Sequence, residues 1–314
     1  ALFDAGVRTW LPGEPKPAGQ RPFKVEFRAA LDHAFAGPHP FETFEEYLAA
    51  ALEAARPRRV LLMLDEFDKL QEGIDSGVTS PQVPENIRHL LQHHAGLSAI
   101  LTGSRRLKRL REEYWSALFG LGYRIGISAL PLADAQRLVT EPVVERLSYL
   151  PAARDRLVEL CARQPFLVQS LCNRVFEKAA EAKERTITLA AVNEAAAEMV
   201  RENEHFRTLW DYAQTHRRRL LLALCERLAD GPDPVNLELF STQLETAGVH
   251  VDLDSQIGDD LEYLRELELI EFDKSYRGGT YRIAIPLLGM WIRMSIDFDG
   301  AAARAREEAQ EAHA

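Results

Sequence analysis

The chain has 314 residues, a length typical of two domains or of three small ones. Hydrophobic residues make up 46% of it and charged residues 27%, which excludes a disordered chain and a collagen-like repeat. The 38 Lys and Arg residues stand against 48 Asp and Glu residues, so a net charge of −10 excludes a global positive field that would attract nucleic acid.

The first part of the chain has the pattern of a parallel α/β sheet. Three short apolar runs predict strands, at Val60–Leu64, Leu97–Leu101 and Tyr123–Ile127. The first run has no polar interruption, which predicts a strand covered on both faces. Residues 1–22 predict a loop, and helices are predicted over 23–35, 43–55 and 85–94. Thr43 and Glu46 have the spacing of a capping box at the start of the second helix.

The pattern then changes to helices throughout, from residue 132 to about residue 212. Four helices are predicted there, over 133–141, 152–162, 166–182 and 190–201. Three more follow, over 216–228, 236–247 and 255–267. Two alternating runs on either side of Gly278-Gly279 predict a β-hairpin. Three helices and a hairpin are the winged-helix arrangement, and the Ala- and Glu-rich tail from Gly300 predicts a solvated helix or disorder.

Polar side chains follow the first two predicted strands. Asp65 and Glu66 come directly after the first strand, and Thr102 follows the second. Parallel sheets bind ligands at this edge, where one carboxylate can hold a Mg²⁺ shell and another can polarise a water molecule. Arg105 and Arg106 come next, and an arginine there can neutralise a transferring phosphoryl group. The same two arginines also fit the solvated face of a helix.

In combination these segments resemble the STAND-type and archaeal-ATPase-like branch of the AAA+ P-loop ATPases. The resemblance covers about residues 40–298 and is carried by LLMLDEFDKL, NIRHLLQHHAGLSAILTGSRRL, YWSALFG and LPLADAQRLVTEPV. The run Arg163-Gln164-Pro165-Phe166 is similar to the family's Gly-x-Pro motif, in which the proline lies near the adenine. The resemblance implies a Mg²⁺-shell aspartate at Asp65, a catalytic glutamate at Glu66, a phosphate sensor at Thr102 and an adenine contact at Pro165.

The resemblance also implies a division of the chain. Residues 1–128 would form the second half of a P-loop nucleotide-binding core, which is a partial α/β parallel sheet. Residues 129–212 would form an all-α lid, residues 213–299 a winged helix, and residues 300–314 a tail.

Two positions depart from the family pattern. Arg163 stands where the lid motif has glycine, and no glycine in the chain is followed by lysine, so GxxxxGK[ST] is absent. Either that loop precedes Ala1, which a first residue other than Met favours, or the chain is a degenerate homologue. We expect this chain by itself not to hydrolyse ATP.

The function that the resemblance implies is a conformational and oligomerisation switch driven by ATP, ADP and Mg²⁺ in prokaryotic signalling or defence. Its partners would be further copies of itself and a missing N-terminal segment or an effector or sensor domain. One alternative is a DNA-binding AAA+ regulator of the origin-recognition or transposition type that uses the winged helix. Another is a non-hydrolysing pseudo-ATPase scaffold.

Charge disfavours nucleic acid as the partner of the winged helix. The presumed recognition helix over 255–268 carries five acidic residues, Asp259, Asp260, Glu262, Glu266 and Glu268. Arg265 is its one basic residue, so the helix would repel phosphates. The cluster Arg217–Arg219 is the feature that leaves DNA binding open.

Other candidate sites are weaker. His89, His93 and His94 share a predicted helix and could bind zinc, but no third ligand is apparent. The chain's three cysteines, Cys161, Cys172 and Cys225, have no CxxC spacing, which predicts buried and reduced thiols. No apolar run is long enough to span a bilayer, so the sequence predicts a cytoplasmic protein without a membrane partner.

Overall fold

The structure is a computed structural model that describes residues 36–67, 69–103, 120, 122–123, 125–202, 204–251, 254–275 and 278–312. It forms two compact units, residues 1–124 and residues 125–314. The loop and helix predicted over 1–35 lie outside the described residues. No described helix is long and apolar enough to cross a bilayer.

The described part of the first unit contains a two-stranded sheet and three helices. In chain order these are α1 (Pro40–Ala55), β1 (Val60–Leu64), α2 (Lys69–Asp75), α3 (Val83–His93) and β2 (Leu97–Leu101). β1 and β2 pair in parallel, with Leu64 opposite Leu101. This confirms the first two predicted strands and their parallel direction.

One face of this sheet is covered and the other is open. Val60 and Leu62 pack with Leu48 of α1 and Leu90 of α3. On the other face of β1, Leu61 is 50% exposed and Met63 68% exposed. The prediction that β1 is covered on both faces is therefore wrong, because the described helices pack against only one face.

Two further predictions for the first part of the chain are wrong. Tyr123 and residues 125–128 form no strand, and the side chains of Tyr123, Ile125 and Ile127 are exposed. An alternating apolar pattern makes a strand only where its N–H and C=O groups find a neighbouring strand. The Thr43/Glu46 capping box does not open α1, which begins at Pro40, since proline is favoured in the first turn of a helix.

The segment predicted to be a lid, called the lid below, begins the second unit. Its helices are α4 (Leu132–Thr140), α5 (Pro151–Leu160), α6 (Pro165–Ala182), α7 (Leu189–Glu202) and α8 (His205–Asp211), with a 3₁₀ turn at Glu141–Val143. Two short strands, β3 (Ser148–Tyr149) and β4 (Thr186–Ile187), pair in parallel. The predicted helices are present, but the lid is not all-α, because this strand pair joins the starts of α5 and α7.

The winged helix has the predicted order of elements. It contains α9 (His216–Arg227), α10 (Leu237–Thr246), α11 (Asp254–Glu266), β5 (Ile270–Asp273) and β6 (Thr280–Ile283), with the two strands antiparallel. Gly279 turns the hairpin with a φ of +72°, and a Cβ there would meet the Phe272 ring at 2.0 Å. Glycine is therefore required for this turn.

Two helices follow the hairpin, α12 (Pro286–Ser295) and α13 (Phe298–Ala312). The tail is a helix, one of the two predicted alternatives, but it is not solvated on all sides. Ala301, Ala302 and Ala305 of α13 are buried, and α13 packs along α9. One hydrophobic core runs through the lid, the winged helix and α13.

The three cysteines are free thiols inside this second unit. Cys161 and Cys225 are buried, as predicted, while Cys172 is half-buried. Burial raises the pKa of the Cys225 thiol to about 12 and that of Cys172 to about 11. Both thiols are therefore protonated and poorly reactive at neutral pH.

Candidate functional site

Asp65 and Thr102 lie together at the carboxyl edge of the two-stranded sheet. Leu64 and Leu101 are register partners, so the residues that follow them emerge side by side. The Thr102 hydroxyl donates a hydrogen bond to Asp65 Oδ1. The backbone continues the pairing past the strands, since the Thr102 N–H donates to the Leu64 carbonyl at 2.9 Å. The contact places both predicted site residues at one edge of the sheet.

Asp65 is an exposed carboxylate with two donors on one oxygen. In addition to the Thr102 hydroxyl, the Glu66 N–H donates to Oδ1 at 2.9 Å. These bonds, with that from Thr102 the larger cause, hold the pKa of Asp65 below its usual value. Asp65 is therefore ionised at neutral pH, which is the state required of a group in a Mg²⁺ shell.

Glu66 occupies a turn directly after the strand. Its φ of +50° is left-handed, and this turn leads to Phe67, which is 1% exposed and packs against Ile87. The Glu66 carboxylate accepts a hydrogen bond from Lys69 Nζ at 2.6 Å. Both side chains are more than 60% exposed, so solvent screens the ion pair and Glu66 can leave it readily.

The lid motif forms its turn without glycine. Arg163 has a φ of +59° and Ala162 a φ of +48°, the left-handed conformation that glycine adopts most readily. The turn ends α5, where the Arg163 N–H donates to the Val158 carbonyl at 3.2 Å. Pro165 then begins α6 in the first turn, a position that suits its fixed φ.

A groove of about 580 Å³ lies beside Pro165, and the sequence analysis missed it. It is lined by residues of α6, α7 and the start of α8, namely Phe166, Gln169, Ser170, Asn173, Arg174, Glu177, Met199, Glu202 and Glu204. Phe166 is 55% exposed, and its ring centroid lies 4.8 Å from that of His205. Arg174 is ion-paired with Glu202, so the remaining glutamates make the groove negative and unsuited to phosphate.

The structure brings three of the predicted site residues together. Asp65, Glu66 and Thr102 adjoin one another in the first unit, whereas Pro165 belongs to the second unit. Arg105 and Arg106 lie outside the described residues.

The histidine cluster has a hydrogen-bonding partner that the sequence did not reveal. His89 Nε2 and His94 Nε2 lie 3.0 and 3.1 Å from the same oxygen of Glu45. These hydrogen bonds, that with His94 first, lower the pKa of Glu45. Within the described residues no group of three or more His, Cys, Asp or Glu side chains is arranged to hold a metal ion. The cluster instead ties α1 to the end of α3.

The basic cluster of the winged helix, Arg217–Arg219, forms ion pairs with carboxylates of the same chain. Arg217 Nε and Arg218 Nε lie 2.5 and 2.7 Å from the two oxygens of Asp260, whose side chain is 3% exposed. Arg219 is ion-paired with Asp211 at 3.1 Å. Asp260 is therefore not part of the outward face of α11, contrary to the sequence analysis, and the charges of these arginines are compensated within the protein.

The outward face of α11 remains acidic. Asp259 and Glu262 are exposed. Arg265 forms two hydrogen bonds with Glu262, at 2.7 and 2.6 Å, so its charge is compensated. The described residues of this face repel a polyanion.

Comparison with solved structures shows a shared fold. The chain is similar to the Aeropyrum pernix ORC2 protein, solved as ADPNP–ADP complexes, with a TM-score of 0.56 and 15% identity over 88% of this chain and 72% of that one. It is less similar to Cdc6p from Pyrobaculum aerophilum, with a TM-score of 0.32 and 16% identity over 84% and 71% of the chains. For Drosophila ORC bound to DNA the TM-score is 0.33 and the identity is 14%, over 89% of this chain and 66% of that one.

Of these three, the likeness to ORC2 supports an argument, and at 15% identity it concerns the fold alone. No protein-family profile matches the chain, and no curated protein matches it either.

Proposed function

We propose that the chain is part of an AAA+ protein that binds ATP or ADP with Mg²⁺ and changes conformation with the nucleotide. The observation that carries this proposal is the contact between Asp65 and Thr102 at the carboxyl ends of two paired parallel strands. The likeness in fold to ORC2, which was solved with ADPNP and ADP, supports the choice of nucleotide.

Each residue of the site has a proposed role. Asp65 holds the Mg²⁺ shell through its ionised carboxylate, and Thr102 keeps that carboxylate in position. Glu66, released from Lys69, polarises the attacking water. Bound Mg²⁺ would supply charge neutralisation at the phosphates. Because GxxxxGK[ST] is absent from the 314 residues, we expect these residues alone to bind nucleotide weakly and not to hydrolyse it.

Binding of a fluorescent ADP analogue to the full-length product of the gene, with and without Mg²⁺, tests the proposal. We expect Asp65→Asn to reduce the Mg²⁺-dependent affinity at least about tenfold, because a neutral amide holds the metal shell poorly. Glu53→Gln removes an exposed carboxylate at the far end of α1 and is the matched control. Equal affinities for Asp65→Asn and the control would refute the nucleotide site.

A second candidate function is a DNA-binding regulator of the origin-recognition type. The fold likeness to an ORC protein favours it over the STAND branch among the predicted functions. The acidic face of α11 and the internal pairing of Arg217 and Arg218 oppose binding through the winged helix. Anisotropy of a labelled 30-base-pair duplex at 150 mM salt separates the two candidates, since tight and salt-sensitive binding would establish the regulator.

The STAND branch, a role in prokaryotic defence and self-association remain proposals. A scaffold without hydrolysis is distinguished by Glu66→Gln in the full-length protein. Loss of nucleotide turnover in this variant supports the switch, whereas a wild-type phenotype supports the scaffold.

A further inference from the structure

Helix α12 connects the winged helix to the lid. It follows the hairpin in sequence and packs against α9 and β6 of the winged helix. It also packs against α5, α7 and α8 of the lid. Leu287, Leu288 and Ile292 of α12 are buried, with exposures of 0, 0 and 4%. A single helix therefore contributes core side chains to both parts.

Specific contacts fix α12 on each side. On the lid side the ring of Trp291 lies 6.1 Å from that of Trp210 in α8. On the winged-helix side Arg293 Nε lies 2.5 Å from Glu226 Oε1 of α9, and the Glu226 side chain is only 10% exposed. A Cβ at Gly289 would lie 2.3 Å from the Glu226 carboxylate, so this carboxylate packs directly over the backbone of α12.

Two polar contacts join the lid to the winged helix without involving α12. The Tyr263 hydroxyl of α11 donates to the Tyr212 carbonyl at the end of α8, at 3.0 Å. Arg219 of α9 is ion-paired with Asp211 of α8. Together with the shared hydrophobic core, these contacts oppose sliding or hinging between lid and winged helix, because close-packed interiors resist small displacements.

We propose that the lid and the winged helix are one rigid body joined by α12, so that a nucleotide-driven movement of the lid carries the winged helix with it. The rigid body follows from the packing alone, whereas the nucleotide-driven movement rests on the proposed function. Two experiments test these parts separately.

Native-state hydrogen exchange tests the rigid body. We expect amides of α7 in the lid and of α9 in the winged helix to exchange through one common opening. Trp291→Ala should accelerate the exchange of both helices by the same factor, roughly 30-fold, because it removes a contact that both parts share. Met294→Ala, on the 49% exposed face of the same helix, is the control and should change neither.

Different changes in the exchange rates of α7 and α9 would overturn the proposal of a rigid body. If exchange accelerates in α9 while α7 keeps its protection, or the reverse, the two parts open independently. Trp291→Phe makes the same comparison with a smaller change in volume, in case Trp291→Ala does not fold.

Distances between spin labels test the movement. Labels at Glu181 in the lid and Lys274 in the winged helix, both exposed, should keep one distance distribution with Mg·ADP and with Mg·ADPNP. Labels at Gln92 in the first unit and at Lys274 should change theirs. The buried Cys161 and Cys225 would remain unlabelled, and Cys172→Ala removes the third thiol.

The outcomes distinguish the two parts of the proposal. A change between Glu181 and Lys274 would overturn the rigid body. An unchanged distance between Gln92 and Lys274, with nucleotide bound, would overturn the nucleotide-driven movement and with it the proposed switch. The exchange experiment would still decide whether lid and winged helix are one body.

Discussion

Glu308 accepts a hydrogen bond from the backbone N–H of His216 at 3.0 Å, although 92 residues separate them. Its second oxygen accepts from the N–H of Arg217 at 2.9 Å. A carboxylate of α13 thus satisfies two N–H groups at the start of α9 that have no partner within the helix. The negative charge also interacts favourably with the positive end of the helix dipole.

We expect Glu308→Ala to lower the free energy of unfolding of the second unit by about 1–2 kcal/mol, because two helix N–H groups lose a charged acceptor. Glu307→Ala, an exposed neighbour on the same helix, is the control and should change it by less than about 0.5 kcal/mol. Urea unfolding followed by circular dichroism measures both. Equal midpoints for the two variants would contradict the capping role.

Asp260 is the acceptor for two arginines within the winged helix. Arg217 and Arg218 both bind it, and Arg218 also lies 3.8 Å above the ring of Tyr263. Replacing Asp260 by Asn leaves two largely buried positive charges without a counter-ion. We expect a loss of about 3–5 kcal/mol in the free energy of unfolding, the usual cost of breaking a buried ion pair on one side.

Asp259→Asn is the control for this variant, because Asp259 is the exposed neighbour of Asp260 on α11. It should unfold at the wild-type urea concentration. A triple variant, Asp260→Leu with Arg217→Met and Arg218→Leu, should recover most of the lost stability, since no buried charge is left unpaired. If the triple variant does not recover stability, the ion pairs contribute more to the free energy of unfolding than the mutual neutralisation of their charges.

Arg163 adopts a left-handed conformation in which an L-amino acid is strained. We expect Arg163→Gly to raise the free energy of unfolding by about 0.5–1 kcal/mol, because relief of this strain exceeds the added entropy of the unfolded chain. Arg163→Ala removes the same exposed side chain but keeps the strain. Thermal unfolding should therefore rank glycine above alanine, and the opposite order would show that the turn is not strained.

The two strands and their parallel direction were predictable because their signals are local. Two apolar runs followed by Asp65 and Thr102 are sufficient, since the carboxyl ends of paired parallel strands must adjoin. The turn at Arg163 was harder to predict, because its left-handed backbone depends on the carbonyl of Val158 and on the start of α6 rather than on a glycine.

Contacts between distant segments were not predictable from the pattern. The buried face of α13 consists of alanines, whose weak hydrophobic signal resembles that of a solvated helix. Arg217 and Asp260 look like surface charges in the sequence, and only the packing of α9 against α11 shows that they neutralise each other. The cap by Glu308 depends on the same kind of long-range packing.

The Asp65 carboxylate offers a test of the site in the folded protein. Removal of the hydroxyl in Thr102→Val should raise the pKa of Asp65 towards its ordinary value of 3.8, because the main cause of the lowering is lost. Thr102→Ser keeps the donor and should keep the pKa low. Carbon-13 NMR titration of the Asp65 carboxyl carbon measures the shift in each variant.

The same hydrogen bond gives a pH dependence whose sign follows from linkage. Because the folded-state pKa of Asp65 is lowered, its contribution to stability is present above the unfolded-state value near 3.8 and is lost as the pH falls through the folded-state pKa. The stability difference between wild type and Thr102→Val should therefore be full at pH 6 and shrink as the solution is acidified below pH 3.8. A difference that stays constant or grows on acidification would show that Thr102 stabilises the sheet edge by another contact than its bond to the ionised Asp65.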